Sequence, residues 1–447
     1  MEALRAFAHI FCISTDSCIR LSAAALMIVV ASSASGAQEQ PAKPIQADAV
    51  SPETGAVVSL QELVREAEQN NPEILAAQRG YEAATHVARQ VSALPDTQLI
   101  VQQFAVGSPR PFAGYTNSEF AYIGVGASQE IPFPGKRSLR GQVANREADA
   151  RQIEVESVRR AVIAKLKATY FRLAYLQQTL SLLERNDRVL QDMQQITESR
   201  YRVGQGNQQE VLKAQLQHTK ILQVITMHHR EVGQLEAILK RLLNRPQDTP
   251  DIQTEPLVVR EIQYKGSDLL NLVRQQNPAI QSQQQMVRKA ESQVELAHKD
   301  FRPDFNVGYM YQNTDRKFRD YYMATFGINL PNRGRRRAEL AEAEANREQA
   351  GKQLEAESQK RLAEVQDQYV FATTSSEQLK IYREGLIPQA EATFRSGLAA
   401  YQANRQNFET LLSSFLDVLN LQIEYQRELA DHESALSQLE ALTGVNF

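Results

Sequence analysis

A strand that runs directly into a helix of roughly 100 Å, twice in one chain, leaves few folds open. Ile131-Pro-Phe-Pro-Gly-Lys-Arg137 ends an alternating, aromatic-rich segment and opens a long proline-free run. Leu330-Pro-Asn-Arg-Gly-Arg-Arg336 repeats the arrangement about 200 positions later, so the chain reads as an internal duplication. Pro132 and Pro331 lack the N–H that a sheet ladder needs and mark where each strand stops. Pro134 lies in the same corner, Gly135 and Gly334 offer a free backbone angle there, and helices are expected from Arg137 and Arg336.

The remaining punctuation agrees with two copies. Ser59 reads as the N-cap of a helix that Asn71-Pro72 interrupts and that resumes to about residue 93. After Pro95-Asp96 the period changes from helical to alternating. Leu99, Val101 and Gln103 form one side, and a second strand runs from Glu119 to Ile131. Leucines spaced by three and four then carry a long helix to a turn at Tyr201-Arg-Val-Gly204, and a return helix runs from Gln208 to Leu243. Asn277-Pro278, Pro303-Asp304, strands over Asp304–Thr314 and Tyr321–Leu330, and a turn at Tyr401 to Asn404 repeat the programme. Asparagine tolerates the left-handed conformation best after glycine, so Asn404 can replace Gly204. Pro388 has no counterpart and should kink the second long helix.

Before the first copy, Leu21 to Val30 is apolar, with Arg5 and Arg20 ahead of it and Ser33 to Ala37 after it. This is the pattern of a secretory signal over residues 1–37, too short for an anchor. A flexible leader over 38–58, repeats over 59–244 and 266–447, and a linker over 245–265 complete the division. Both cysteines, Cys12 and Cys18, fall in the signal, so the exported chain holds no disulfide or thiolate site. A net charge of -3 with no basic block argues against nucleic acid.

Each copy thus supplies a helix pair, a hairpin, a long helix and a return helix. Strands of about 10 residues are long enough to cross a hydrocarbon core, but four strands cannot close a barrel. Three chains would supply about 12. Phe104, Phe112, Tyr115, Phe120, Tyr122, Phe133, Phe305, Tyr309, Tyr311, Phe318, Tyr321, Tyr322 and Phe326 crowd into the strand windows and would serve as interfacial girdles. The competing reading is a water-soluble hairpin core in which aromatics simply pack.

Ser128-Gln-Glu-Ile-Pro-Phe-Pro-Gly-Lys-Arg137, the paired Asn-Pro steps, the Tyr201 to Gly204 turn and the duplication resemble the TolC-type outer-membrane efflux proteins. The Gln-Glu-x-Pro-x-Pro-Gly-Lys-Arg segment is most similar to the heavy-metal branch (cobalt–zinc–cadmium or copper–silver). The resemblance implies a mainly α protomer with a small β part, trimerising into a 12-stranded β-barrel in outer-membrane lipid and an α-helical periplasmic tunnel. It implies a passive exit duct, engaged by a periplasmic adaptor and a proton-driven inner-membrane pump. It also places the two turns at the adaptor-facing tip, which makes Tyr201, Arg202, Gly204, Tyr401 and Asn404 contact candidates. Glu210 and Glu409, the acids nearest the turns, would form gate rings, although glutamate on a helix is more often a solvated face.

No Gly-x-Ser-x-Gly, phosphate-binding glycine loop or His-Glu-x-x-His occurs, so no catalytic group and no cofactor are expected. Adjacent His228 and His229 point about 100° apart on a helix, and no stoichiometric metal site is expected either. Met310 and Met323 should pack or face lipid. Heavy-metal cations are the first expectation for cargo. Drug efflux, polypeptide secretion, or an exported coiled-coil scaffold without transport are the alternatives.

Overall fold

The computed structural model describes residues 58–107, 110, 121–313 and 320–447. The expected signal and nearly all of the leader lie outside these residues, as do Phe112, Tyr115, Phe120 and Phe318. Each half opens with two short helices: α1 (Leu60–Asn70) and α2 (Pro72–Ser92), then α5 (Gly266–Gln276) and α6 (Pro278–Lys299). Ser59 caps α1 by accepting from the Glu62 N–H.

Asn71 and Asn277 do more than interrupt a helix. Each side-chain oxygen accepts from the first free N–H groups of the next helix, Glu73 and Ile74 or Ala279 and Ile280. Each Nδ2 donates across the fold to a return-helix carbonyl, Leu242 at 2.8 Å and Leu442 at 2.9 Å. Both asparagines are buried, so the cap and the tertiary tie are one device used twice.

β1 (Gln98–Phe104), β2 (Tyr122–Ile131), β3 (Asp304–Asn313) and β4 (Tyr321–Asn329) form one antiparallel sheet in sequence order. The β2–β3 pairing joins the halves, with Val125 opposite Tyr311 and Ile131 opposite Phe305. Leu99, Val101, Val125, Val307, Tyr309, Tyr322 and Phe326 share one face and lie exposed on it. Gly124, Gly126, Ser128, Asn306, Gly308, Gln312 and Thr325 occupy the other face. A Cβ at Gly126 would come within 2.6 Å of the Tyr309 carbonyl oxygen, and its absence lets the chains close up beneath Met310. Met310 and Met323 sit opposite one another on this more polar face, where Met310 packs in the interior and Met323 is exposed.

Helix α3 (Lys136–Arg202) turns into α4 (Gln208–Leu242). In the second half α7 (Arg333–Ile381), a π-helical turn over Tyr382–Leu386 and α8 (Ile387–Gln402) make one long rod, which turns into α9 (Phe408–Thr443). Pro388 cannot donate to the Glu384 carbonyl, and the backbone widens into the π turn just before it while helix continues on both sides. The helices also begin earlier than the sequence suggests. Gly135, at φ 95°, starts α3 at Lys136. In the second copy Asn332 accepts from the N–H groups of Gly334 and Arg335, so α7 starts at Arg333. Gly334 is therefore already helical and makes no left-handed corner, because a side-chain cap has replaced the glycine.

The cores follow the rods. Leu166, Tyr170, Leu173 and Leu176 of α3 pack with Leu63, Leu239 and Leu242. Leu269, Val273, Val365, Leu436 and Leu439 form the corresponding cluster of the second half. Near the turns, Leu190 and Met193 meet Ile221, Tyr401, Phe408 and Phe415.

Candidate functional site

The helical hairpins end in two turns, and these have the backbone the residue types require. Gly204 has φ 73° and Asn404 has φ 59°, both left-handed. Asn207 and Asn407 then cap α4 and α9 through their side-chain oxygens. Tyr201 and Arg202 are exposed, and so is Val203. Tyr401 is not. Only 2% of its surface is exposed, it lies 5.9 Å from the Phe408 ring, and its hydroxyl reaches Glu210 Oε2 at 3.2 Å. Burial first, then the Glu210 carboxylate, pushes the Tyr401 hydroxyl up to about 12, so it remains a neutral donor. Tyr401 therefore leaves the set of surface contacts and becomes a support beneath the tip.

Sequence reasoning missed the residue that ties the two turns together. Arg200 donates from Nη1 to the Tyr401 carbonyl at 2.9 Å, bonds Asn404 Oδ1 through Nη2, and lies 4.6 Å from the Tyr401 ring centre. The second copy has Ala400 there, so the lone arginine was the available signal. Of the two nominated acids, Glu210 is half-buried against Tyr401. Glu409 is exposed and meets Lys213 Nζ at 2.8 Å, which holds its carboxyl below the usual carboxylate range. Each acid thus has a partner inside the protomer. Among the described residues, no group of three or more His, Asp or Glu lies where it could hold a metal ion.

At the other end of α3, beneath the sheet, Lys136 is buried with its ammonium on the second half of the chain. Nζ reaches Asp304 Oδ1 and Oδ2 at 2.9 and 3.0 Å and the Arg302 carbonyl at 2.8 Å. The Phe133 N–H adds a bond to Asp304 Oδ1 at 2.8 Å. Pro132, Pro134 and Gly135 place those two donors, and Arg137 Nε donates to the Ser92 carbonyl. A sheet with one apolar exposed face and one more polar face, standing on helical hairpins and locked to them from below, is built to sit in lipid and continue into a helical shaft.

A family model described as outer membrane efflux protein matches residues 63–245 and 269–443. The chain belongs to that family. It is 23% identical to the pyoverdine export outer membrane protein OpmQ of Pseudomonas putida over 331 residues, 71% of this chain and 69% of that protein. The fold is similar to the outer membrane protein VceC of Vibrio cholerae, with a TM-score of 0.73, 19% identity, and 87% of this chain and 96% of that one covered. It is equally similar to CusC, with a TM-score of 0.74 at 18% identity over 89% and 96% of the two chains. The protein is thus an outer-membrane, TolC-like channel protein, and trimeric assembly into a barrel is the known form of this fold. Members of the family are passive channels rather than enzymes and work with adaptors and inner-membrane pumps.

Proposed function

We infer that three copies of this chain form the exit duct of an efflux system whose cargo is heavy-metal cations. The observation that carries the duct reading is the four-stranded sheet, apolar and aromatic on one exposed face, with β1 and β4 at its margins. Such margins are costly in lipid unless paired, and three sheets of four provide about 12 strands. The exposed Tyr201 and Arg202, with Gly204 and Asn404 holding the turns open, form the surface offered to a periplasmic adaptor. Glu210 and the Arg200–Tyr401 contacts tie the two turns together at that end, and the driving force comes from a proton-driven pump.

The cargo reading rests on the Gln129 to Arg137 segment and its likeness to the heavy-metal branch. The likeness to OpmQ favours a second reading, in which the cargo is an iron-binding siderophore such as pyoverdine. Deleting the gene separates the two. Growth on graded cobalt, zinc, cadmium, copper and silver salts should become more sensitive to at least one metal, with siderophore secretion unchanged. Unchanged metal tolerance with loss of secreted siderophore would replace the first reading with the second.

A further inference from the structure

The duplication can be tested on the sheet itself. Aligning the copies by Pro95-Asp96 on Pro303-Asp304, and by Pro132 on Pro331, makes β1 equivalent to β3 and β2 equivalent to β4. The two hairpin registers then coincide. Gln98 opposite Ser128 maps onto Asn306 opposite Gly327, and Leu99 opposite Ala127 maps onto Val307 opposite Phe326. The β2–β3 junction between halves therefore has an image at the junction of β4 with β1 of a second copy.

The lock beneath that junction carries over residue by residue. Lys136 maps to Arg335, Asp304 to Asp96, Phe133 to Asn332 and Arg302 to Leu94. Lys136 is sealed on Asp304, whereas Arg335 leaves 74% of its side chain in solvent with only Glu339, four residues along its own helix. Asp96 is exposed and has no side-chain partner among the described residues. Helix α7 also begins with Arg333, Arg335 and Arg336 and has no acid in its first turn. Cations there oppose the helix dipole and call for an external carboxylate.

We propose that Arg335 of one copy bonds Asp96 of the next, repeating between subunits the Lys136–Asp304 lock that joins the two halves of one chain. This rests on the trimeric duct reading. It also fixes the register of the closing strands. Met310 opposite Gly126 becomes Gln102 opposite Thr325, and Gly308 opposite Ser128 becomes Ile100 opposite Gly327. On the other face Val101 meets Phe326 and Leu99 meets Ile328, all four apolar side chains that lie exposed in the protomer. The apolar face then continues unbroken across the seam. A slip by one residue would set Leu99 and Val101 against β4 residues that belong to the polar face, such as Thr325 and Gly327.

Two sets of variants of the full chain test this. Arg335→Asp and Asp96→Arg should each lower the temperature at which the detergent-purified trimer dissociates by ~5 °C or more, and the combined charge swap should restore it. Separately, Thr325→Cys with Gln102→Cys in one chain should oxidise to a covalent trimer, while Thr325→Cys with Gln103→Cys should not. Trimers indifferent to the single reversals, no rescue by the swap, or crosslinking only through position 103 would overturn the proposal and leave the duct intact. An unsubstituted chain that purifies only as a folded monomer would sink the duct reading together with it.

Discussion

The two strand-to-helix corners do the same job with different chemistry. In the first, Gly135 makes the turn with a left-handed backbone, and the neighbouring ammonium of Lys136 is buried against the other half of the chain. In the second, Asn332 makes the turn with its side chain, and Arg335 and Arg336 fold back on Glu339. An interior seam tolerates a buried, fully paired ion, whereas a margin awaiting a partner keeps its cations wet. What separates the copies is therefore their position relative to the edge of the protomer more than drift in an otherwise idle repeat.

The largest effect should come from the interior corner. Lys136→Met strands the Asp304 carboxylate beside the Phe133 N–H, and removing one partner of a buried pair costs about 3–5 kcal/mol. The thermal unfolding midpoint should fall accordingly. A loss below ~1 kcal/mol, typical of a surface ion pair, would mean that the two corners are energetically alike and would break the comparison.

A smaller effect should come from the return helices. Asn71 and Asn277 tie to Leu242 and Leu442, which sets the two helices in register and places Glu236 where the second half has the fully buried Leu436. Burial, then a hydrogen bond and repulsion from Asp251, push the Glu236 carboxyl up to about 7 from 4.5. The folded state holds a proton that the unfolded chain gives up. Stability from this group is thus present below its ordinary value and is lost as pH rises through about 7. Glu236→Leu should flatten the difference between thermal midpoints at about pH 5 and about pH 8. An unchanged difference would place the pH sensitivity elsewhere.

Much of this architecture was legible because it is written in local chemistry. Proline stops a strand wherever its neighbours lie, Asn-Pro opens a helix, and a left-handed turn needs glycine or asparagine. Lys136 was visible only as a letter in a motif, since Asp304 is distant in sequence and no period links them. Tyr201 and Tyr401 occupy equivalent places, yet one is exposed and the other buried, because Arg200 and Phe408 close over only the second. Gly334 misled for the opposite reason: the neighbouring Asn332 had already supplied the cap. Cargo is written less directly, since the Gln129 to Arg137 segment that points to it also builds the strand-to-helix corner.

The open margins of the sheet, β1 and β4, need further copies of the same chain to close them in lipid. The mass of the folded particle extracted from the outer membrane, measured in detergent by native mass spectrometry, tests this most directly. Three chains per particle is the predicted result; a folded particle of one chain would contradict it.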